Sequence, residues 1–163
     1  MKLSTKGRYG VRLMLDLAAH YGERPVLLRE ISKRAHYGER PVLLREISKR
    51  EDISEKYLWH LINPLKSAGL IHATRGAHGG YELAKEPSEI TVKDIFEVVE
   101  GPIYLVDCIE NPATCKRSDF CIARDLWGDA SKALAGSLEK TTLASLVERQ
   151  KDKKQRKTVN YEI

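Results

Sequence analysis

No apolar run in the 163-residue sequence approaches the roughly 20 residues that a membrane-spanning helix needs. Residues 1–20 lack both the uninterrupted apolar segment and the small-residue cleavage site of a secretion signal. Cysteine is scarce: the chain has three, an odd number that argues against a secreted disulfide framework. The sequence therefore reads as cytoplasmic. The five histidines are dispersed, and there is no Ser/His/Asp set, no paired carboxylates and no phosphate-cradling glycine loop, which disfavours an enzyme. His72 and His78 flank a glycine-rich turn but read as ordinary surface residues. A tight C-x2-C zinc pair is also missing, as are the common ferredoxin spacings.

What cysteine there is lies in one place. Cys108, Cys115 and Cys121 fall within the 14-residue stretch CIENPATCKRSDFC. A loop so polar is a poor core for three buried thiols. Three thiolates can hold three positions of a soft metal centre and leave the fourth to be found elsewhere.

Charge is uneven. The net charge is +5. Residues 1–50 hold 12 Lys and Arg against 5 Asp and Glu, residues 51–148 hold 10 against 16, and the tail from Arg149 holds 6 against 2. A basic N-terminal part suits a phosphate-binding surface. Part of that bias comes from a repeat. AHYGERPVLLREISKR at 19–34 recurs, identical at all 16 positions, at 35–50. Solenoid repeats drift and need about three copies to stack. Two perfect copies look instead like a recent duplication or an error in the sequence record.

The periodicity predicts a first helix over 4–21, capped by Ser4 or Thr5, with Tyr9, Leu13, Leu17 and Tyr21 on one side and a stop at Gly22 or Gly38. The copy nearest Glu51-Asp52-Ile53 is best placed for a second helix, over 43–50, while residues 19–22 continue the first. Ser54 caps a third helix. There Tyr57, Leu58, Leu61, Ile62 and Leu65 face inward, and Lys56, Trp59, His60, Asn63 and Lys66 outward. Pro64 is expected to kink or divide this helix. Short β runs at 70–73 and 81–83 flank TRGAHGG, where Gly76, Gly79 and Gly80 suit positive φ angles. Helix, turn, helix and hairpin in this order predict a winged helix-turn-helix. The third helix then lies in a major groove, with Arg75 on the wing.

Thr91 and Asp94 form a capping box for a helix that ends at Gly101. A longer helix starts near Ile122 and carries an apolar stripe of Leu126, Ala130, Ala133, Leu134 and Leu138. Its expected partner is a second copy of the chain, and a two-fold dimer suits a pseudo-palindromic site on duplex DNA. Thr142 caps a short last helix. The expected organisation is a mainly α chain with a small β-hairpin: a DNA-binding domain over 1–101, a cysteine loop over 102–121, dimerisation and terminal helices over 122–150, and a disordered tail over 151–163.

MKLSTKGRYGVRLMLDLA, ISEKYLWHLINPLKSAGLI, TRGAHGGYELA and a three-cysteine loop after VVEGP resemble the IscR/NsrR/CymR family of bacterial winged-helix regulators. The resemblance covers nearly the whole chain, apart from the second repeat copy and the tail. It implies a homodimer that binds an iron–sulfur cluster, commonly 2Fe–2S, and represses cluster-assembly genes. It puts Cys108, Cys115 and Cys121 on the cluster cysteines, Lys56, Trp59, His60 and Lys66 on the recognition helix, and Arg75 on the wing. The chain departs from that pattern in three places. Arg124 stands where members often carry histidine. Trp59-His60 replaces an acidic–amide pair. The repeat inserts 16 residues between the first two helices. A guanidinium has no lone pair to donate, so the fourth ligand is left open among Asp125, a partner-subunit group, a small thiol and water. Two other readings stand beside this one: a thiol- or zinc-responsive regulator of the same fold, and an interaction module docking on a metabolic enzyme.

Overall fold

The computed structural model describes residues 3–21, 41–75 and 79–159. Seven helices and one hairpin follow in order among the described residues: α1 Thr5–Ala19, α2 Leu44–Glu51, α3 Glu55–Ser67, β1 Ile71–Thr74, β2 Gly80–Leu83, α4 Val92–Glu100, α5 Asp107–Glu110, α6 Ile122–Glu139 and α7 Leu143–Val159. None of these helices is long and apolar enough to cross a membrane.

Ser4 caps α1, its hydroxyl accepting the Gly7 N–H at 3.1 Å. Leu13 and Leu17 are buried as expected, and Tyr9 and Tyr21 pack at the edge of the core. The helix stops at Ala19, short of Tyr21. Its last N–H groups bond three residues back, His20 to Leu17 and Tyr21 to Ala18. The His20 imidazole sits 2.7 Å from the Asp16 carbonyl, which another helical turn would have used. Both glycines proposed as its stop, Gly22 and Gly38, lie outside the described residues.

The second repeat copy supplies α2. The left-handed Asp52, at φ 50°, ends it. Ser54 caps α3 through the Tyr57 N–H at 3.3 Å. That helix runs on through Pro64 without dividing. Proline removes one helical hydrogen bond, but Leu61, Ile62 and Leu65 on either side of it are fully buried and hold the helix across the gap. The Thr91–Asp94 capping box forms in both directions. Gly101 ends α4 with φ 92°, a conformation that disfavours any side chain.

One core joins α1, α2, α3, the hairpin and α4, and Leu143 at the start of α7 is buried in it too. Antiparallel β1 and β2 pair Ile71 with Leu83 and Thr74 with Gly80, one residue later in β1 than the sequence suggests. Thr142 caps α7, its hydroxyl accepting the Ser145 N–H at 3.2 Å. Residues 151–159, read from composition as a disordered tail, continue this helix. Lys, Gln and Arg are good helix formers, and the root of α7 is already anchored.

Only one 16-residue copy is needed to fill the α2 position. Deleting residues 35–50 yields the same sequence as deleting 19–34. The shortened chain is expected to keep its fold and to gain about 1 kcal/mol from the shorter connection between α1 and α2. Urea denaturation of the two chains measures this. A lower midpoint for the shortened chain would show that the extra copy contributes packing.

Candidate functional site

The second helix is short, and Ile47 is its one fully buried side chain. Polar contacts to α1 fix its position. Asp16 lies on the buried side of α1 at 6% exposure. Arg50 of α2 donates to both of its carboxylate oxygens, each at 2.8 Å. These hydrogen bonds push the Arg50 guanidinium up from its ordinary value. Arg12 secures the neighbouring residue, with Nε 2.8 Å from the Glu51 carboxylate and a second bond to the Glu51 carbonyl. Spacing rules do not reveal these pairs. The visible signal was a single carboxylate on an apolar helix face, which demands a partner.

With α2 held, α3 packs Leu58, Leu61, Ile62 and Leu65 inward. Tyr57 is half-buried, its ring edge-on to Tyr9 with centroids 5.5 Å apart. The opposite side presents Lys56, Trp59, His60, Asn63 and Lys66, all exposed. Their spacing of three, one, three and three puts them along one face. Trp59 keeps 54% of its surface exposed, so it does not serve the core. Arg75 follows β1 and is exposed. Gly76, Ala77 and His78, at the wing tip, lie outside the described residues.

A backbone bridge ties the wing to the chain ahead of α2. Val42 donates to the Tyr81 carbonyl at 2.8 Å and accepts from the Tyr81 N–H at 2.9 Å. The pairing also covers the free edge of β2. It explains Gly80 differently from the expectation of a positive φ, which Gly80 does not have. A Cβ there would lie 2.6 Å from the Val42 oxygen and 2.8 Å from the Pro41 carbonyl carbon. Glycine is required for close backbone approach.

The cysteine stretch is a chain of short turns rather than an open loop. Cys108 sits on α5, and Asn111 caps a 3₁₀ turn over Pro112–Thr114. Cys115 follows that turn, and after a second over Ser118–Phe120 Cys121 is the N-cap of α6. All three thiols are free and half-buried. Thiolates suit a soft metal centre, but among the described residues no three His, Cys, Asp or Glu side chains come together as a metal site. As placed, the three cysteines do not form a ligand set. Arg124 does face this segment: its Nε donates to the Cys108 carbonyl at 2.9 Å. Asp125 is exposed. Ser131 adds a second tie, accepting from the Leu105 N–H at 3.1 Å and donating to the Trp127 carbonyl at 2.8 Å.

The sixth helix buries little else. Ser131 is its one buried residue, while Ile122 and Leu126 are 79% and 60% exposed.

Helix α2, the turn at Asp52, α3 and the β1–β2 hairpin make this a winged helix-turn-helix protein. The Rrf2 family of iron-dependent transcriptional regulators matches residues 34–149, and the chain belongs to it. It is 40% identical over 147 residues to protein rrf2 of Nitratidesulfovibrio vulgaris, covering 90% of this chain and 87% of that protein. The structure of CymR, the global cysteine regulator of B. subtilis, superposes with a TM-score of 0.68 at 37% identity, over 91% of this chain and 98% of that one. T. potens IscR superposes with a TM-score of 0.69 at 36% identity, over 92% and 88%. The chain is thus a transcriptional regulator of the Rrf2 family.

The Val42–Tyr81 bridge makes a direct prediction. Gly80→Ala drives a methyl group into the 41–42 backbone and is expected to destabilise the protein by about 1–3 kcal/mol. Thermal unfolding reads this. An unchanged melting temperature would mean that the wing and the α2 leader are not held together.

Proposed function

We propose that the protein is a DNA-binding repressor that senses iron–sulfur cluster status through Cys108, Cys115 and Cys121 and controls cluster-assembly genes. It reads a pseudo-palindromic operator as a homodimer. The exposed face of α3 meets the major groove with Lys56, Trp59, His60 and Lys66, and Arg75 enters the adjacent minor groove. The exposed apolar side of α6 is the dimer seam, with Ile122 and Leu126 against a second copy.

The observation that carries this reading is the Arg124–Cys108 hydrogen bond. It ties the segment holding every thiol of the chain to the helix proposed to join two reading heads. The iron-dependent description of the family and the likeness to T. potens IscR support the cluster reading. When bound, a cluster supplies a redox-sensitive, oxygen-sensitive group. The thiols would have to be drawn together to hold it, and Arg124 gives no fourth ligand.

A second reading rests on that same geometry. Three free thiols that do not converge suit a regulator that responds by thiol chemistry, and CymR is described as a cysteine regulator. Anaerobic purification with a visible spectrum and iron and sulfide analysis separates the two. The cluster reading expects a coloured protein with iron and sulfide, and expects Cys108→Ala, Cys115→Ala or Cys121→Ala each to remove the colour. Arg124→His is expected to slow bleaching in air, because imidazole is a ligand where guanidinium is not. A colourless, iron-free protein leaves the thiol reading.

On the DNA side, Trp59→Ala is expected to change stability by no more than about 0.5 kcal/mol, because the ring is mostly exposed. Its preference for operator over random duplex should fall by about 1–3 kcal/mol, the discrimination carried by a good base contact. A large drop in melting temperature with discrimination intact would assign Trp59 to packing instead.

A further inference from the structure

The distal half of α7 belongs neither to the core nor to the cysteine segment. The helix is firmly rooted. Leu143 is fully buried and its N–H bonds the Ile90 carbonyl at 2.9 Å, while the Ala144 N–H bonds the Pro87 carbonyl at 3.0 Å. Val147 packs against the same core that carries α3. Farther on the surroundings change. Every side chain from Lys151 to Arg156 is exposed, yet the helix continues to Val159. The nine residues after Gln150 reach about 13 Å at the helical rise.

This projecting rod is strongly basic. Between Arg149 and Lys157 stand six Lys and Arg and one acid, Asp152. A helix that is polar all round needs internal ion pairs or a partner. Within the helix the bases outnumber the acids: from Glu148 to Arg156 only Glu148 and Asp152 are acidic. Arg149 and Lys153 are four residues apart, and Lys153 and Arg156 three apart, so like charges stack along one side. A polyanion laid against that side relieves the repulsion. Residues 151–156 offer no apolar side chain, which argues against insertion into a lipid surface. The root is fixed to the domain that holds α3, so the rod keeps a set direction relative to the reading head.

We propose that residues 149–156 of α7 form a phosphate-binding arm that contacts the duplex DNA backbone outside the bases read by α3 and the wing. The inference rests on the DNA-binding reading above. It adds sequence-independent affinity, carried by displaced counterions, and no base preference.

The test compares the full chain with its K151Q/K153Q/R156Q variant on a random-sequence duplex of about 30 base pairs across a salt series. Glutamine keeps helix propensity and removes charge. The variant is expected to bind about 10- to 100-fold more weakly near 50 mM salt, with a slope of log affinity against log salt smaller in magnitude by about two to three. K153E/R156E is expected to weaken binding further, with the far-ultraviolet helix signal of the parent. Should the triple variant lose helix, Lys153→Gln alone is expected to reduce the slope by about one. Equal slopes and affinities for parent and variants would overturn the arm while leaving DNA binding through α3 intact, and an acidic protein surface would then be its better match. A parent that binds no duplex at any salt would overturn both readings.

Discussion

The reading head depends on a buried carboxylate and the guanidinium that answers it. Asp16 sits among the apolar side chains of α1, where an unpaired charge would cost several kcal/mol. Arg50 reaches it with two hydrogen bonds, and that reach fixes the end of α2 against α1. An eight-residue helix with one fully buried side chain has little else to orient it. Arg12 secures the neighbouring Glu51, and Val42 pairs with Tyr81 at the other end. Because α3 begins after a single tight turn, the direction of its exposed face is inherited from these contacts. Much of Arg50 is open to solvent, so the pair contributes more to orientation than to net stability.

Identical repeat copies pose a problem that the helix sequence by itself cannot solve. Both contain the same leucines, isoleucine and arginine. They differ in their downstream neighbours. After the second come Glu51, which Arg12 holds, Asp52, which adopts the left-handed turn, and Ile53, which is 3% exposed. After the first come Ala35, His36 and Tyr37. Alanine has no carboxylate for the Arg12 Nε, and a tyrosine would not fit the space of a fully packed isoleucine. Context immediately downstream therefore selects the second copy for α2, and the sequence already contains that context.

Cap and stop signals were legible in this way. Ser54, the Thr91–Asp94 box and Gly101 act within a few residues of themselves, and each does what its neighbours suggest. The failures involve distance. Gly80 is constrained by the backbone of Pro41 and Val42, far earlier in the chain, so turn chemistry alone misassigned its role. The last stretch of α7 has a composition that suggests disorder, but its root packs under residues 87–91, which a local count does not see. In the cysteine segment, spacing revealed that the thiols are confined to one place. It did not reveal that the segment folds into short turns in which the three do not come together as one ligand set, nor that Arg124 would bond to the Cys108 carbonyl.

That last contact bears on how a signal would leave the segment. Gly101 releases the chain from α4, which packs on α1, α3 and α6, and Cys121 delivers it into α6. Between them the segment is joined to α6 by the Arg124–Cys108 bond and by the Ser131 hydroxyl on the Leu105 N–H. Each such bond is worth about 1 kcal/mol net. Bringing thiolates together around a metal centre involves far larger energies. Chemistry at the cysteines therefore meets little resistance from these two bonds. Where it requires Cys108 to move, the bond to Arg124 links that movement to α6. The core resists the same displacement much more strongly, because Ile95 and Val99 of α4 are fully buried against α1. If the proposed sensing and pairing hold, a rearrangement at the cysteines would reach α6 first, and through it α4, which packs on α6 as well as on α1 and α3.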